Sequence, residues 1–132
     1  MNSLLLKIKH NGLSMYPSLN SNVMINILLK PRNISVGDIV YYKDKETKLL
    51  ISHRVISMSP FLIKGDRNLY VDSDISLDSI LGIIVSNDKL YWGESGQTFK
   101  ILIAYLSCYS QNHYPRIIRQ ISQALIYIFS RF

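Results

Sequence analysis

Asp38-Ile39-Val40-Tyr41-Tyr42-Lys43, a charged break at Asp44-Lys45-Glu46, and then Leu49-Leu50-Ile51-Ser52-His53-Arg54-Val55-Ile56-Ser57-Met58 form the stretch that decides the fold. Two runs rich in β-branched and aromatic residues flank a polar turn, which is the pattern of two adjacent strands. The same pattern extends outward on both sides. Leu4–Lys9 and Val23–Leu29 precede the stretch, Phe61–Lys64 follows it across Ser59-Pro60, and Ile80–Ser86 and Lys89–Trp92 lie either side of Asn87-Asp88. Regularly spaced short runs predict a mainly β fold, a compact coiled sheet or partial barrel. Asp66–Ser79 is too polar for a strand and is expected to be a loop carrying acids.

From Thr98 onward the period changes. After Pro115, the residues Ile117, Ile118, Ile121, Leu125, Ile128, Phe129 and Phe132 recur at three and four, with Arg116, Arg119, Gln120, Gln123 and Ser130 largely on the other side. This predicts a C-terminal amphipathic helix, with proline tolerated at its first turn. The chain divides on this basis into a β-rich part over 1–96 and a helical, basic extension over 97–132. Two arginines and two glutamines in the first half of the helix argue against its crossing a bilayer. Phe99–Leu106 is apolar but too short to cross. The helix has two readings: it closes one face of the β core, or it lies on a membrane surface.

The 48% hydrophobic and 18% charged content of the 132 residues suits one globular unit. The net charge of +6 is unevenly spread. Residues 1–96 hold eleven basic and nine acidic residues, whereas residues 97–132 hold four basic residues and no acid. An excess gathered among apolar residues points to peripheral membrane contact through 115–132, and no nucleic-acid partner is expected. The single cysteine, Cys108, excludes an intramolecular disulfide. A Cys108–His113 nucleophile pair is conceivable, but a buried structural thiol is the plainer reading. No Cys/His cluster has metal-ligand spacing and no glycine loop cradles phosphate, so neither metal nor cofactor is expected.

Four segments carry the chemistry: Gly12-Leu13-Ser14-Met15-Tyr16-Pro17, Val36-Gly37-Asp38-Ile39-Val40, Ser52-His53-Arg54-Val55, and Lys64-Gly65-Asp66-Arg67-Asn68 continuing to Asp72. They supply a serine, a histidine and carboxylates, the groups that together activate a hydroxyl nucleophile. Each residue also has an ordinary structural reading: Ser14 as a loop residue, His53 as a strand histidine, Asp66 as a turn former, and Asp72 as an exposed loop acid.

In order and wording these segments resemble the signal peptidase I superfamily of serine peptidases, over about Gly12 to Ile84. The likeness is closest to the archaeal and endoplasmic-reticulum branch, which uses histidine where most bacterial members use lysine. The related self-cleaving repressors share the mainly β catalytic fold. The resemblance implies Ser14 as nucleophile, His53 as general base and Asp72 as the orienting carboxylate, with Asp66 as the alternative or a second supporting acid. Gly12, lacking a Cβ, would let a substrate strand approach. Met15 would lie beneath the substrate, Pro17 would stiffen the turn, and the Ser14 amide would face the developing oxyanion.

These residues lead to the expectation of a serine endopeptidase that cuts a leader or signal segment from a peptide or protein precursor. Members of the superfamily place a membrane helix before the serine. Here thirteen residues precede Ser14, and Lys7, Lys9 and His10 interrupt the apolar stretch, so neither an anchor nor a secretory signal is expected. The expected location is cytoplasmic or peripheral to a membrane. The alternative is a non-catalytic peptide-binding module that keeps the peptidase fold. A self-cleaving regulator is disfavoured, because no DNA-binding segment or cleavable linker precedes Ser14.

Overall fold

A computed structural model describes residues 4–16, 19, 21–29, 33–72, 74–87 and 94–130. Six strands form: β1 (Leu5–His10), β2 (Val23–Leu29), β3 (Ile39–Lys43), β4 (Leu50–Met58), β5 (Phe61–Lys64) and β6 (Ile80–Asn87). They make one antiparallel sheet in the order β1-β2-β6-β3-β4-β5, which does not close. Two helices follow, α1 (Glu94–Tyr109) and α2 (Arg116–Phe129). The expected mainly β architecture and the helix after Pro115 are therefore both present. The Lys89–Trp92 run, Pro17 and Phe132 lie outside the described residues.

β3 sits between β6 and β4 and is buried on both faces, so it separates two apolar clusters. Ile39 and Tyr41 point into one, with Met15, Leu19, Ile25 and Ile27. Val40 and Tyr42 point into the other, with Val55 and Ile63. Such alternation is what a two-sided sheet demands of a central strand. The β3–β4 register sets Val40 opposite His53 and Ile39 opposite Arg54, so the two neighbours of the Ser52-His53-Arg54-Val55 segment face opposite sides.

The expected boundary between residues 96 and 97 falls inside α1. This helix packs on β4, and α2 packs on α1, where Phe99 and Phe129 stack with ring centroids 5.7 Å apart. The inward side of α2 mixes polar and apolar residues. Ser122 and Ile126 are its buried residues, while Ile117, Ile121 and Ile128 are 66%, 54% and 49% exposed. No helix among the described residues is long and apolar enough to cross a membrane.

Candidate active site

Three elements separated in sequence bring the site together. Ser14 lies in a turn just after β1, closed by the Tyr16 amide donating to the Leu13 carbonyl at 3.0 Å. His53 is on β4 and Asp72 is in the loop after β5, where its amide donates to the Ile63 carbonyl. Ser14 Oγ lies 3.0 Å from His53 Nε2, and His53 Nδ1 lies 2.5 Å from Asp72 Oδ2. With Nδ1–H donating to the carboxylate, Nε2 is left as an acceptor for the serine proton. The imidazole is 5% exposed, so the strand and its neighbours hold the ring in place.

Tyr42, which the sequence reading did not single out, completes the contact. Its hydroxyl donates to Asp72 Oδ2 at 2.8 Å and stands 3.4 Å from His53 Nδ1. Burial and the adjacent carboxylate push the Tyr42 phenol well above its ordinary range, so it remains a donor. The register explains its place: Tyr42 is two residues from Val40, the partner of His53, and so shares its face.

Asp66 does something different from the role allowed for it. It is fully buried on Arg54, with Nε donating to Oδ1 and Nη2 to Oδ2, both at 2.8 Å. Nη1 of Arg54 donates to the Gly37 carbonyl. Both Asp66 oxygens are thus committed to a guanidinium on the opposite side of β4 from His53, and Asp72 is the acid that reaches the imidazole.

Met15 also departs from expectation. Its side chain is fully buried in the core with Leu19 and Ile25, and its Sδ accepts the Asp66 amide at 3.4 Å, so it cannot floor an open substrate site. Gly12 has φ +112, a backbone region that side chains disfavour, and a Cβ there would meet nothing within 4 Å. Its amide donates to Ser21 Oγ. The glycine is needed for the conformation of the turn, and its surroundings are open.

The Lys64-Gly65-Asp66-Arg67 segment joins the pieces. The Arg67 amide donates to the Ser14 carbonyl at 2.8 Å, and the Ser14 amide donates to no group among the described residues. A Cβ on Gly65 would stand 3.0 Å from His53 Nε2 and 2.7 Å from Asn68 Nδ2, so a side chain there would displace Asn68 and press on the imidazole. Lys64 is fully buried, and its ammonium donates to the Gly65 carbonyl, Ser107 Oγ and Ser110 Oγ at 2.9, 3.0 and 3.0 Å. Burial pushes its pKa down to about 8. Gln123 of α2 donates to the Asp66 carbonyl. Both helices therefore brace the turn that holds Ser14, a role visible only once the chain is folded.

His10 ends β1 and is buried, with Nε2 making no hydrogen bond. Burial, and then the charge of His53, push its pKa below the ordinary imidazole value. Cys108 is half-buried, its Sγ donating to the Ala104 carbonyl at 3.4 Å, and it makes no bond to His113. No group of His, Cys, Asp or Glu among the described residues is arranged to hold a metal ion. Comparison of the chain with family models, with curated proteins and with solved structures finds no match.

Proposed function

We propose that this chain is a serine endopeptidase of the signal peptidase I type, removing a leader or signal segment from a peptide or protein precursor. The observation that carries the reading is the continuous contact from Ser14 Oγ to His53 Nε2 and from His53 Nδ1 to Asp72. Ser14 Oγ attacks the scissile carbonyl as its proton passes to His53 Nε2. The tetrahedral oxyanion is met by the unengaged Ser14 amide. His53 then protonates the leaving amine as the C–N bond breaks, giving an acyl-Ser14 intermediate. Water, deprotonated by the same nitrogen, attacks the ester carbonyl; His53 returns that proton to Ser14 Oγ as it leaves, releasing the free acid. Asp72, held by Tyr42, keeps Nδ1 protonated and stabilises the imidazolium.

β1 is an edge strand that runs directly into the Ser14 turn, which supports an extended substrate adding alongside it through main-chain bonds. The outward isoleucines of α2, on a segment without acids, support action at a membrane surface.

The test is to treat wild type and Ser14→Ala with a fluorophosphonate probe, and to incubate both with candidate precursors followed by mass spectrometry. Labelling and cleavage by wild type alone are expected. A wild type that neither labels nor cleaves, while remaining folded, would favour the peptide-binding module instead.

A further inference from the structure

A cavity of about 360 Å³ lies between the catalytic turn and the start of α2, lined by Arg67, Leu69, Ser110, Arg116, Arg119, Gln120 and Gln123. Three of its seven lining residues are arginines and none is an acid. No carboxylate pairs with Arg67, Arg116 or Arg119 among the described residues. Their existing partners are weak: Arg67 lies 5.7 Å from the Tyr16 ring centroid, and Arg119 Nη1 is 3.5 Å from Asn112 Oδ1. The acid nearest in sequence, Asp66, is fully committed to Arg54. The first turn of the 14-residue α2 adds its positive pole to the same space. Three arginines border this space without a paired carboxylate, so an anion placed among them gains from each.

We infer that this cavity is a subsite for a carboxylate side chain of the peptide substrate, an aspartate or glutamate near the cleaved bond. The inference rests on the peptidase reading for its consequence, and on the cavity itself for binding. What points to the substrate is Arg67. Its side chain lines the cavity while its own amide holds the Ser14 carbonyl at 2.8 Å, so the subsite and the nucleophile share one turn. Guanidinium forks suit the two oxygens of a carboxylate, and Leu69 offers apolar wall to the methylenes that carry it. Because Arg67 belongs to the segment that holds Ser14, the acid is expected among the residues flanking the cut. The subsite selects precursors by charge, independently of any preference at the cut itself.

The experiment uses labelled decapeptides built around a fixed Ala-x-Ala, the small-residue pattern at which secretory signals are cut, with Glu or Gln at each other position in turn. Fluorescence anisotropy measures their binding to Ser14→Ala, whose nucleophile is removed, in buffer without lipid. Glu at one position is expected to bind about tenfold more tightly than Gln there. That preference should weaken with salt and disappear when Arg116→Gln and Arg119→Gln are added, with circular dichroism confirming the fold. Equal binding of Glu and Gln peptides at every position overturns the subsite. So does a Glu preference that survives the double substitution, or a cavity that takes inorganic phosphate while ignoring the peptide charge. Fluorophosphonate labelling of wild type is read separately: a preference for Glu without labelling sinks the catalytic reading and leaves the subsite, and labelling without a preference does the reverse.

Discussion

The two aspartates that the sequence offered as partners for His53 have opposite duties, and single substitutions separate them. Asp72→Asn keeps the shape but removes the charge that stabilises the imidazolium, so kcat is expected to fall by about a thousandfold or more, with little change in the urea midpoint. Asp66→Asn leaves a buried arginine without its counter-charge, at a cost of about 3–5 kcal/mol in stability. If Asp66→Asn melted like wild type and lost activity alone, the assignment of the two acids would be wrong. Tyr42→Phe removes one hydrogen bond from Asp72 and should lower kcat about threefold to tenfold while leaving KM near its starting value. His10 gives a pH signature. Its folded pKa lies below the unfolded one, so the unfolded chain binds the extra proton as pH drops below about 6.5, and stability falls with it. Urea melts from pH 7 to pH 5 should therefore lose less stability in His10→Gln than in wild type. Ser14, His53 and Asp72 could be named because their segments resemble peptidase motifs in order, and folding brings the three side chains into contact. Tyr42 was not, since a tyrosine in an apolar run reads as core until the register shows which face it shares.

At the scale of elements, strand positions read well from the sequence because β-branched runs broken by charged or proline turns leave few alternatives. The span Phe61–Lys64 was read to the residue. What resisted reading was the coupling between β5 and α1. Nothing in a lysine at the end of a strand shows that its ammonium will be sealed between Ser107 and Ser110, more than 40 residues away. That burial has a measurable sign. The folded pKa of Lys64 is about 8 against an ordinary value of 10.5, so between those limits the unfolded chain holds more protons. Over this window Lys64 contributes a penalty that shrinks as pH rises. Compared with Lys64→Met, wild type should gain stability in denaturant melts from pH 8 to pH 10, and a difference that stays flat or falls would contradict a buried, cationic Lys64. The contact also joins the helices to the Ser14 turn, so damage to α1 or α2 is expected to reach Ser14 through Lys64, Gln123 and Arg67.

For the molecule as a whole, the orientation of α2 decides what the basic C-terminal segment is for. An amphipathic helix that served only to close the core would bury all its isoleucines, yet here Ile126 faces the body of the protein with Ser122 and Gln123 while Ile117, Ile121 and Ile128 face outward. The membrane contact proposed above rests on this outward apolar face: on a bilayer the isoleucines would enter the acyl boundary, while Arg116 and Arg119 remain with the cavity. Under that proposal the Ser14 turn, tied to α2 through Gln123 and Asp66, would be held close to the bilayer, where a precursor with an apolar leader would gather. Ile117→Ser with Ile121→Ser removes two apolar anchors and is expected to weaken binding to vesicles containing phosphatidylserine by about tenfold to a hundredfold, with vesicle flotation as the measurement. Both positions are exposed, so the thermal midpoint should change little, and labelling of Ser14 by the fluorophosphonate probe should proceed as before in detergent-free buffer. Equal flotation of the wild type and the double variant would remove the membrane from the account and leave the outward apolar face to another protein surface.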